Sequence, residues 1–579
     1  MPLGEDLKQL PQEHQGPLVK LGKGDLGGKA RGLSFLESLI EMYGLKAEFS
    51  PHRIAVPETV VLASGEYDRF LQLNDLGDLL GRPDEEIRGR FLEGAFPPET
   101  ERALARYLRG HKRPIAVRSS SLNEDAYNHP AAGLYMTLML ANNAESEEAR
   151  LKQLCDAVRL VYASTICMAP VAYMRRHNLP VENEKMAIVL QEVVGGPAHS
   201  EVYYPLCAGA AQSLNYFPVG RMKPRDGVVA LVFGLGKRAV DGMDALRFSP
   251  RHPLVRPQFG TPQDTLKNSQ KGFYAVDLNS GSKDLTGSEM DTLLELKVEA
   301  AEGHGTLAEL ASTWVMEDGT LYDGLSRDGR RVLTFDRLLK GILFPFPRII
   351  GRVLSLAEEG FGSPVEIEFA ATVEGEGLER RGILHLLQAR PLAAAAAGGR
   401  VRIPEIADER RVLDCARALG HGSLDGIRDL VWVDPAGFDP TRTHEMARAV
   451  GRLNEALESR QRRYLLLVPG RLGSTNPRLG LPVKYPQVGG AALLAELATD
   501  EFRAEPSQGT HFFHNVVAGG LFYLFADLTG EDHLALEWLR ALPRETEEGG
   551  VIHSVADEEL SIRVDAALPR AVVYRPEPG

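Results

Sequence analysis

The sequence predicts a mixed α/β protein made of a large unit followed by a smaller one. Segments with helical and with strand-like spacing of apolar residues alternate along roughly the first 390 residues, the pattern of α/β and α+β folds. A run of small residues at 391–400 then separates this region from a second alternating series. The 579 residues of the chain also exceed the size at which a single hydrophobic core keeps growing, about 250–300 residues.

The expected elements follow from the period of the apolar residues. The first region predicts, in chain order, a helix over 27–44, a strand over 53–62, a strand over 113–121 that runs into a loop, a helical stretch over 145–177, a strand over 185–194, and two strands over 365–370 and 382–392. The second region predicts a helix over 443–463, a strand with a glycine-containing loop over 464–474, a helix over 491–498, and an apolar segment over 506–528 that fits either helix or strand.

Composition excludes several classes of protein. Hydrophobic residues make up 44% and charged residues 25%, which is ordinary globular composition. The net charge of −13 disfavours general binding to nucleic acid or to anionic membranes, so any phosphate site must be local. No leader pattern begins the chain and no apolar run approaches about 20 residues. We therefore expect a cytoplasmic protein with no nucleic-acid or membrane partner.

The four cysteines are widely spaced and form no CxxC pair. A zinc site or a disulfide framework is improbable for such a pattern in a chain of this length. We expect buried, reduced thiols without a catalytic role.

Two motifs are of the kind that holds phosphate groups. In the first, Gly27-Gly28-Lys29 begins a predicted helix, where glycines admit a ligand to the backbone and a lysine can reach a phosphate oxygen; a surface turn is the alternative. In the second, Arg118 ends an apolar strand and is followed by Ser119-Ser120-Ser121. A guanidinium offers forked hydrogen bonds to an oligophosphate; a serine-rich turn is the alternative.

A third motif carries carboxylates. In a strand, Glu366 and Glu368 point to the same face, and two converging carboxylates are a common way to hold a magnesium ion that bridges phosphates. The alternative is a solvated strand face, which the apolar residues between the two glutamates disfavour.

In their order along the chain, these motifs resemble the nucleotide-binding domain of phosphoenolpyruvate synthase and pyruvate phosphate dikinase, over residues from roughly 20 to 392. Further similar segments are the strand ending at Gln191, the Gln388-Ala389-Arg390 sequence, Val56-Pro57-Glu58-Thr59 and Gly234-Leu235-Gly236. The resemblance implies a two-lobed, ATP-grasp-like domain over 1–392, a linker over 393–404 and a smaller C-terminal α/β domain over 405–579.

The resemblance also implies a role for each matching residue. Lys29 and Arg118 match basic residues on the ATP phosphates, Gly133 and Thr137 match the phosphate-covering loop, Gln191 matches a position near the adenine and the hinge, Glu366 and Glu368 match magnesium-binding acids, and Gln388 and Arg390 match a segment that lines the phosphates. ATP and Mg²⁺ are therefore the expected cofactors. The implied chemistry is phosphoryl transfer from ATP by positioning and charge stabilisation.

The chain departs from the family in three places. Lys237 stands where the family often has a glutamate, which puts the nucleotide preference in doubt, and the glycine loop reads NHPAAGLYMT. No Thr-Ser-His-Ala sequence, the phosphohistidine signature, occurs in the 579 residues, and the segment after the linker is too short for both a phosphohistidine domain and a barrel. We do not expect this chain alone to convert pyruvate to phosphoenolpyruvate by the family's route.

The second region contains two candidate sites. Residues 468–476, with Arg471 and several hydroxyls, are a possible phosphate cradle, and a plain strand-to-helix turn is the alternative. His511 follows Gly-Thr and precedes an apolar segment, as a phosphate-accepting histidine would, and we include it with Arg118 and Arg390 among the catalytic candidates. A packed, hydrogen-bonded histidine is the alternative.

Three functions remain open at this point. The first is an ATP- and Mg-dependent phosphotransferase whose acceptor is a small molecule or a protein, with a separate phosphohistidine-domain protein as a possible partner. The second is a nucleotide-sensing module that binds ATP without turnover, which Lys237 and the missing phosphohistidine domain favour. The third is an ATP-grasp ligase, which fits the motif pairing less well.

Overall fold

The computed structural model describes residues 18–121, 124, 133–198, 201–375, 379–392, 401–503, 505–508, 510–565 and 570–577. The chain divides into two compact units, Met1–Val240 with Asp244–Leu392, and Asp241–Met243 with Ala393–Gly579. Each unit combines helices with sheets, which confirms the predicted mixed α/β class. Residues 393–400 of the expected linker lie outside the described residues.

The first unit carries the following described elements. Its helices are α1 Gly27–Met42, α2 Leu45–Glu48, α3 Ser64–Asn74, α4 Asp84–Leu92, α5 Pro98–Gly110, α6 Glu147–Ala163, α7 Met168–Arg176, α8 Lys237–Val240, α9 Pro262–Asn268, α10 Ala300–Gly303, α11 Asp336–Leu339 and α12 Phe346–Phe361. Its strands are β1 Leu18–Leu21, β2 Arg53–Ala55, β3 Thr59–Leu62, β4 Ile115–Ser121, β5 Thr137–Leu140, β6 Met186–Glu192, β7 Gly196–Ala198, β8 Val202–Tyr204, β9 Cys207–Gln212, β10 Val228–Phe233, β11 Leu246–Phe248, β12 Gly272–Asp277, β13 Leu293–Lys297, β14 Ala311–Val315, β15 Thr320–Asp323, β16 Arg330–Leu333, β17 Val365–Glu374 and β18 Arg381–Pro391.

Two sheets of this unit hold the predicted motifs. A five-stranded sheet has the order β1-β3-β6-β4-β5, and a six-stranded sheet has the order β11-β10-β9-β17-β18-β2. In the six-stranded sheet, Glu366 lies opposite Arg390 and Glu368 lies opposite Gln388, and the register shifts immediately after Glu368. Smaller sheets of four strands, β13-β12-β8-β7, and three strands, β15-β14-β16, complete the unit.

Helix α1 packs closely against both of the larger sheets. At two of its glycines the backbone of the sheet is so near that there is no room for a side chain. A Cβ on Gly27, whose φ is +75°, would lie 1.7 Å from the carbonyl oxygen of Ser120 in β4. A Cβ on Gly32 would lie 2.3 Å from the carbonyl oxygen of Ala389 in β18. The glycines of the first motif therefore permit close backbone packing that fixes the position of the neighbouring Lys29.

The main core of the first unit lies between the helices and the six-stranded sheet. Leu33 and Leu36 of α1 and Ile350 of α12 are buried with Ile367 and Leu384 of the central strands. Leu33 and Leu36 lie three residues apart, which is the helical spacing from which α1 was predicted.

Two expectations for this unit were wrong in detail. The segment 53–62 forms two strands in different sheets, since β2 pairs with β18 and β3 pairs with β6. Pro57 separates them, and a proline cannot donate to a sheet ladder. The helical stretch over 145–177 is likewise interrupted, between α6 and α7, by a short 3₁₀ turn, Ser164–Ile166.

Two further predictions concern burial. One helical stretch of the described residues, Glu147–Arg176, has the length and apolar character of a membrane span, but 78% of its apolar window is buried inside the fold, as in the core helix of a globular domain. All four cysteines are buried and free, as predicted. Burial raises the pKa of the Cys155 and Cys167 thiols to about 12, which keeps them protonated and unreactive.

The second unit is built around a long mixed sheet. Its described helices are α13 Thr443–Ser459, α14 His511–Ala518 and α15 Leu536–Ala541, and its described strands are β19 Arg411–Cys415, β20 Ala418–Leu419, β21 Gly422–Trp432, β22 Tyr464–Pro469, β23 Arg471–Leu472, β24 Gly480–Leu481, β25 Leu493–Ala498, β26 Phe522–Asp527, β27 His533–Leu534, β28 Arg544–Glu548, β29 Val551–Asp565 and β30 Arg570–Tyr574. The sheet order is β20-β26-β25-β22-β21-β29-β30-β19-β27, with β28 on β29.

The helix predicted over 491–498 was wrong, because this segment forms β25. All six residues of β25 are buried, and both of its neighbours, β22 and β26, run parallel to it. A strand covered on both faces reads as a continuous apolar run, which periodicity alone does not distinguish from a buried helix. The undecided segment 506–528 contains both structures, α14 followed by β26.

Candidate nucleotide site

Lys29 lies at the start of α1 in a small buried polar cluster. Its ammonium group forms an ion pair with Glu124 and lies 3.2 Å from the hydroxyl oxygen of Ser119 in β4. The Ser119 hydroxyl donates to Glu124 at 2.9 Å. The Lys29 side chain is only 8% exposed and that of Glu124 only 3%. The second oxygen of Glu124 has no hydrogen-bond partner among the described residues, so the cluster has unused acceptor capacity.

The first turn of α1 is fixed by further side chains. The Gly27 N–H donates to the Asp25 carboxylate at 2.8 Å, a position that also favours negative charge at a helix N-terminus. The Ala30 N–H donates to the Ser120 hydroxyl, which in turn donates to the Leu26 carbonyl at 2.8 Å. Adjacent serines of the second motif therefore position the lysine of the first.

Arg118 connects the two larger sheets. Its Nη2 donates to Glu368 of β17 and to Gln388 of β18, both at 2.7 Å. Its Nη1 donates to the Gln191 side chain of β6 at 3.2 Å and to the Leu387 carbonyl of β18 at 3.1 Å. The side chains of Arg118 and Glu368 are 12% and 16% exposed. One guanidinium thus contacts three other predicted site residues, the farthest of them 270 positions away in sequence.

Glu366 and Arg390 form a separate buried pair next to this point. Arg390 donates from Nε at 3.0 Å and from Nη2 at 2.6 Å to one oxygen of Glu366, and the amide of Gln212 donates to the other at 2.7 Å. The Arg390 side chain is 4% exposed and the Glu366 side chain is 1% exposed. The two glutamates share a strand face as predicted, but each faces its own arginine.

A small apolar patch adjoins the Arg118 contacts. It consists of Val194, Ala208 and Ala370, with the partly buried Leu387 packed against them. The Leu387 carbonyl accepts hydrogen bonds from both Arg118 and Gln191, so the patch begins where the polar contacts end. Ala208 of β9 and Ala370 of β17 are both buried in this patch.

Lys237, the departure from the family pattern, is not an isolated charge. Its ammonium group lies 2.6 Å from Glu289. The other oxygen of Glu289 accepts a hydrogen bond from the Thr137 N–H at 3.2 Å, and Thr137 pairs with Arg118 across β4 and β5. A carboxylate therefore lies at this position, supplied by a different part of the chain.

The remaining predicted residues are placed as follows. Gly133 is exposed with a φ of +65°, and residues 125–132 of the same loop lie outside the described residues. His511 is the first residue of α14 in the second unit, where Thr510 caps the helix by accepting from the Phe513 N–H. The roles assigned to these residues and to the others of the site stay predictions.

Residues 468–476 form a structural turn. The N–H groups of Gly470 and Arg471 donate to the Leu497 and Leu479 carbonyls, and that of Gly473 donates to the Leu481 carbonyl. The Leu472 N–H donates to the buried Glu496. Because these N–H groups are used within the fold, this segment does not present them to a phosphate.

Three polar residues of the site were not given a role from the sequence. Glu124 lies three residues after Ser121, the last residue of β4, and its contact with Lys29 depends on the fold. Gln212 and Glu289 reach the site from other strands and loops through tertiary contacts. No local pattern marks either of them.

The sequence of the first unit matches a known protein family. The family described as pyruvate phosphate dikinase, AMP/ATP-binding domain, matches residues 23–411. This match covers about two thirds of the chain and includes all the residues of the polar network in the first unit.

One curated relative is the uncharacterized phosphotransferase YvkC of Bacillus subtilis (strain 168), which is 25% identical over 348 residues. The alignment covers 60% of this chain and 32% of the relative, so the chain spans about a third of that protein's length. The family match spans residues 23–411 and contains the buried network of Lys29 and Arg118. The chain therefore belongs to the pyruvate phosphate dikinase AMP/ATP-binding domain family.

Proposed function

We propose that this protein is an ATP- and Mg²⁺-dependent phosphotransferase whose nucleotide binds between the five-stranded and six-stranded sheets of the first unit. The observation that carries the proposal is the set of contacts made by Arg118, which joins β4 and β6 to β17 and β18 through Gln191, Glu368 and Gln388. A forked cation, a carboxylate and two amides then surround one point, as an oligophosphate with its metal requires.

The charges of the site support MgATP as the ligand. Lys29, Arg118 and Arg390 each form an ion pair with a carboxylate, namely Glu124, Glu368 and Glu366 respectively. A triphosphate alone would compete with these carboxylates for the cations, and Mg²⁺ alone would compete with the cations for the carboxylates. MgATP would bring both charges together: phosphate oxygens would take the place of Glu368 on Arg118, and the carboxylate of Glu368 would help to hold Mg²⁺.

Burial distinguishes the two glutamates within this proposal. Both oxygens of Glu366 are engaged, one by Arg390 and one by Gln212, and its side chain is 1% exposed. Glu368 is partly exposed and lies beside the amide oxygen of Gln388, since both accept from the same nitrogen of Arg118. We therefore assign Mg²⁺ to Glu368 and Gln388, while Glu366 orients Arg390 toward the phosphates.

We place the adenine at the apolar patch of Val194, Ala208, Ala370 and Leu387, because this patch adjoins the contacts of Arg118 and Gln191. A flat ring needs small side chains beneath it and backbone groups at its edge. Val194, which belongs to this patch, lies two residues beyond the end of β6 and so close in sequence to Gln191. Phosphates extending from this patch would reach Arg118 first and Lys29 beyond it.

The acceptor is proposed to be a small molecule or a protein group, and His511 is the first protein group to test. Phosphotransfer as the general activity agrees with the family and with the name of the Bacillus subtilis relative. A cytoplasmic location and a separate phosphohistidine-domain partner remain expectations from the sequence.

Nucleotide affinity tests the site. Equilibrium binding of ATP in the presence of Mg²⁺ is measured for Lys29→Met and Arg118→Lys, with Lys46→Met and Arg331→Lys as controls. Lys46 is an exposed surface residue, and Arg331 is a half-buried arginine paired with Glu302 in the three-stranded sheet. We expect the site variants to weaken binding by about 10- to 100-fold, from the loss of a charge-assisted phosphate contact, and the controls to bind like the wild type. Unchanged affinity in both site variants would reject this location.

Product analysis tests turnover. The protein is incubated with MgATP labelled at the β- or the γ-phosphate, and nucleotides and phosphoprotein are followed with time. Formation of AMP supports dikinase-like chemistry, and an acid-labile, base-stable phosphoprotein that disappears in His511→Asn identifies the acceptor. Tight binding without label or hydrolysis, across a panel of small acceptors, would support the nucleotide-sensing module instead.

A further inference from the structure

A second cluster of ligand-type side chains lies on the first unit, away from the contacts of Arg118. Glu58 directly precedes β3, Glu192 ends β6, and His111 directly follows α5. The Glu192 N–H donates to the Glu58 carbonyl at 3.0 Å, which holds the two carboxylate-bearing residues side by side. One ligand atom from each of the three residues lies within 4.8 Å of the others.

His111 is held rigidly in this cluster. Its carbonyl accepts hydrogen bonds from Asn142 at 3.1 Å and from Arg150 at 2.6 Å. Its ring stacks on Tyr107 with a centroid separation of 5.1 Å and an interplanar angle of 18°. Backbone and ring are therefore fixed independently of the two carboxylates, which is the usual condition for a preorganised ligand.

The imidazole points at the carboxylates without bonding to them. Its side chain is only 5% exposed, its Nδ1 lies 3.7 Å from Glu58, and its Nε2 lies 3.8 Å from Glu192. Both distances exceed a hydrogen bond. The buried Nε2 has no hydrogen-bond partner among the described residues. A buried ring nitrogen that faces a carboxylate without a partner calls for a ligand between them.

We propose that Glu58, His111 and Glu192 form a second cation site that takes a divalent first-row transition metal such as Zn²⁺. One imidazole and two carboxylates suit such a metal, whereas Mg²⁺ and Ca²⁺ prefer oxygen ligands alone. Two carboxylates also cancel the charge of a divalent ion.

The geometry needs only small changes to close around an ion. Metal–ligand bonds of about 2.0–2.2 Å place tetrahedral ligand atoms about 3.4 Å apart. The Glu58 side chain is 62% exposed and free to rotate inward. Arg113 holds one oxygen of Glu192 at 2.5 Å, and the other oxygen faces His111.

One further observation agrees with metal binding. Glu58 and Glu192 line a cavity of about 520 Å³, bounded also by Arg53, Tyr204 and His385, that gives an ion access from solvent. The site would join the end of β6 to α5, one residue from Gln191 of the nucleotide site.

Zinc binding to the full chain tests this proposal. Equilibrium dialysis against buffered Zn²⁺ in excess Mg²⁺, followed by elemental analysis, is carried out on the wild type, Glu58→Gln and His111→Phe. Glu58→Gln alters an exposed side chain, and His111→Phe keeps an aromatic ring on Tyr107. His252→Asn is the matched control, because His252 faces the carboxylate of Asp226 at 3.4 Å elsewhere in the first unit.

We expect one equivalent of Zn²⁺ on the wild type and on the control, and an affinity at least tenfold lower in both site variants. Cobalt(II) should show visible absorption bands of a nitrogen- and oxygen-ligated ion in the wild type that are lost in His111→Phe. Zinc binding that is absent from the wild type, or equal in the wild type and Glu58→Gln, would overturn the proposal. ATP affinity, measured in parallel, should remain unchanged in Glu58→Gln, which separates this site from the nucleotide site.

Discussion

Replacing a helical glycine by alanine should change the stability of the first unit in opposite directions at two positions, Gly32 and Gly89. Gly32 lies inside α1 and is buried, whereas Gly89 lies inside α4 and is exposed. Glycine in a helix interior costs about 0.5–1 kcal/mol relative to alanine. If helix propensity alone decided the outcome, both Gly→Ala variants would be more stable than the wild type.

The surroundings of the added methyl group reverse the sign at Gly32. A Cβ at this position would lie 2.3 Å from the carbonyl oxygen of Ala389, whereas a Cβ at Gly89 would meet no atom within 4 Å. The neighbour at Gly32 is the backbone of β18, which is paired with a strand on each side, so relief requires α1 to move by about 1 Å. Overpacking of this kind costs about 1–3 kcal/mol, and backbone contact favours the upper end.

We therefore expect Gly32→Ala to destabilise the first unit by about 2 kcal/mol after the gain in helix propensity, and Gly89→Ala to stabilise it by about 0.5–1 kcal/mol. Urea unfolding followed by tryptophan fluorescence and far-UV circular dichroism measures both changes. ATP affinity should fall in Gly32→Ala, because the displaced helix carries Lys29. A Gly32→Ala variant as stable as the wild type, or stabilised like Gly89→Ala, would refute the reasoning.

Three further predictions rest on particular contacts. Arg118→Lys should lower the unfolding free energy of the first unit by about 1–3 kcal/mol in urea, since lysine cannot reproduce the fork to Glu368 and Gln388. Burial lowers the pKa of His385 to about 4 in the folded state. Between about pH 6.5 and 4 the unfolded state therefore binds more protons than the folded state. The free energy of unfolding should fall by up to about 3 kcal/mol as the pH drops through that window. His385→Phe should flatten this slope in melts at pH 7 and 5, and an unchanged slope would contradict it. Glu496→Gln should destabilise the second unit by about 1–3 kcal/mol, since Glu496 accepts hydrogen bonds from the Leu472 and Ser507 N–H groups. The control is Glu501→Gln, at an exposed position. A urea midpoint of Glu496→Gln no lower than that of the control would count against this prediction.

The elements that carry the site could be predicted from sequence because their local patterns agree with their final surroundings. The strand β6 is almost wholly buried and apolar, and α1 has a clear helical stripe behind its glycines. The segment 53–62 was predicted as one strand because its residues all favour extended backbone, while its division between two sheets depends on pairing with β18 and β6. Sheet membership is a tertiary property that local propensity does not contain.

The same limit applies inside the site. Strand alternation predicted that Glu366 and Glu368 share a face, and that two carboxylates so placed need a cation. Which cation each one meets depends on the register of β17 and β18 and on the shift that follows Glu368. It also depends on the approach of Arg118 from another sheet, 250 residues away. Only the assembled fold distinguishes the buried Glu366–Arg390 pair from the more exposed Glu368.

Lys237 shows how a departure in sequence can leave the local charge arrangement intact. Read alone, a lysine in place of a glutamate removes a carboxylate from the nucleotide site and favours a module that has lost turnover. In the fold, Glu289 neutralises this lysine and accepts the N–H of Thr137, the residue that pairs with Arg118. A carboxylate thus remains beside β5, from a different point of the chain. Because the Lys237–Glu289 pair adds no net charge, the lysine by itself does not favour the binding module over the phosphotransferase.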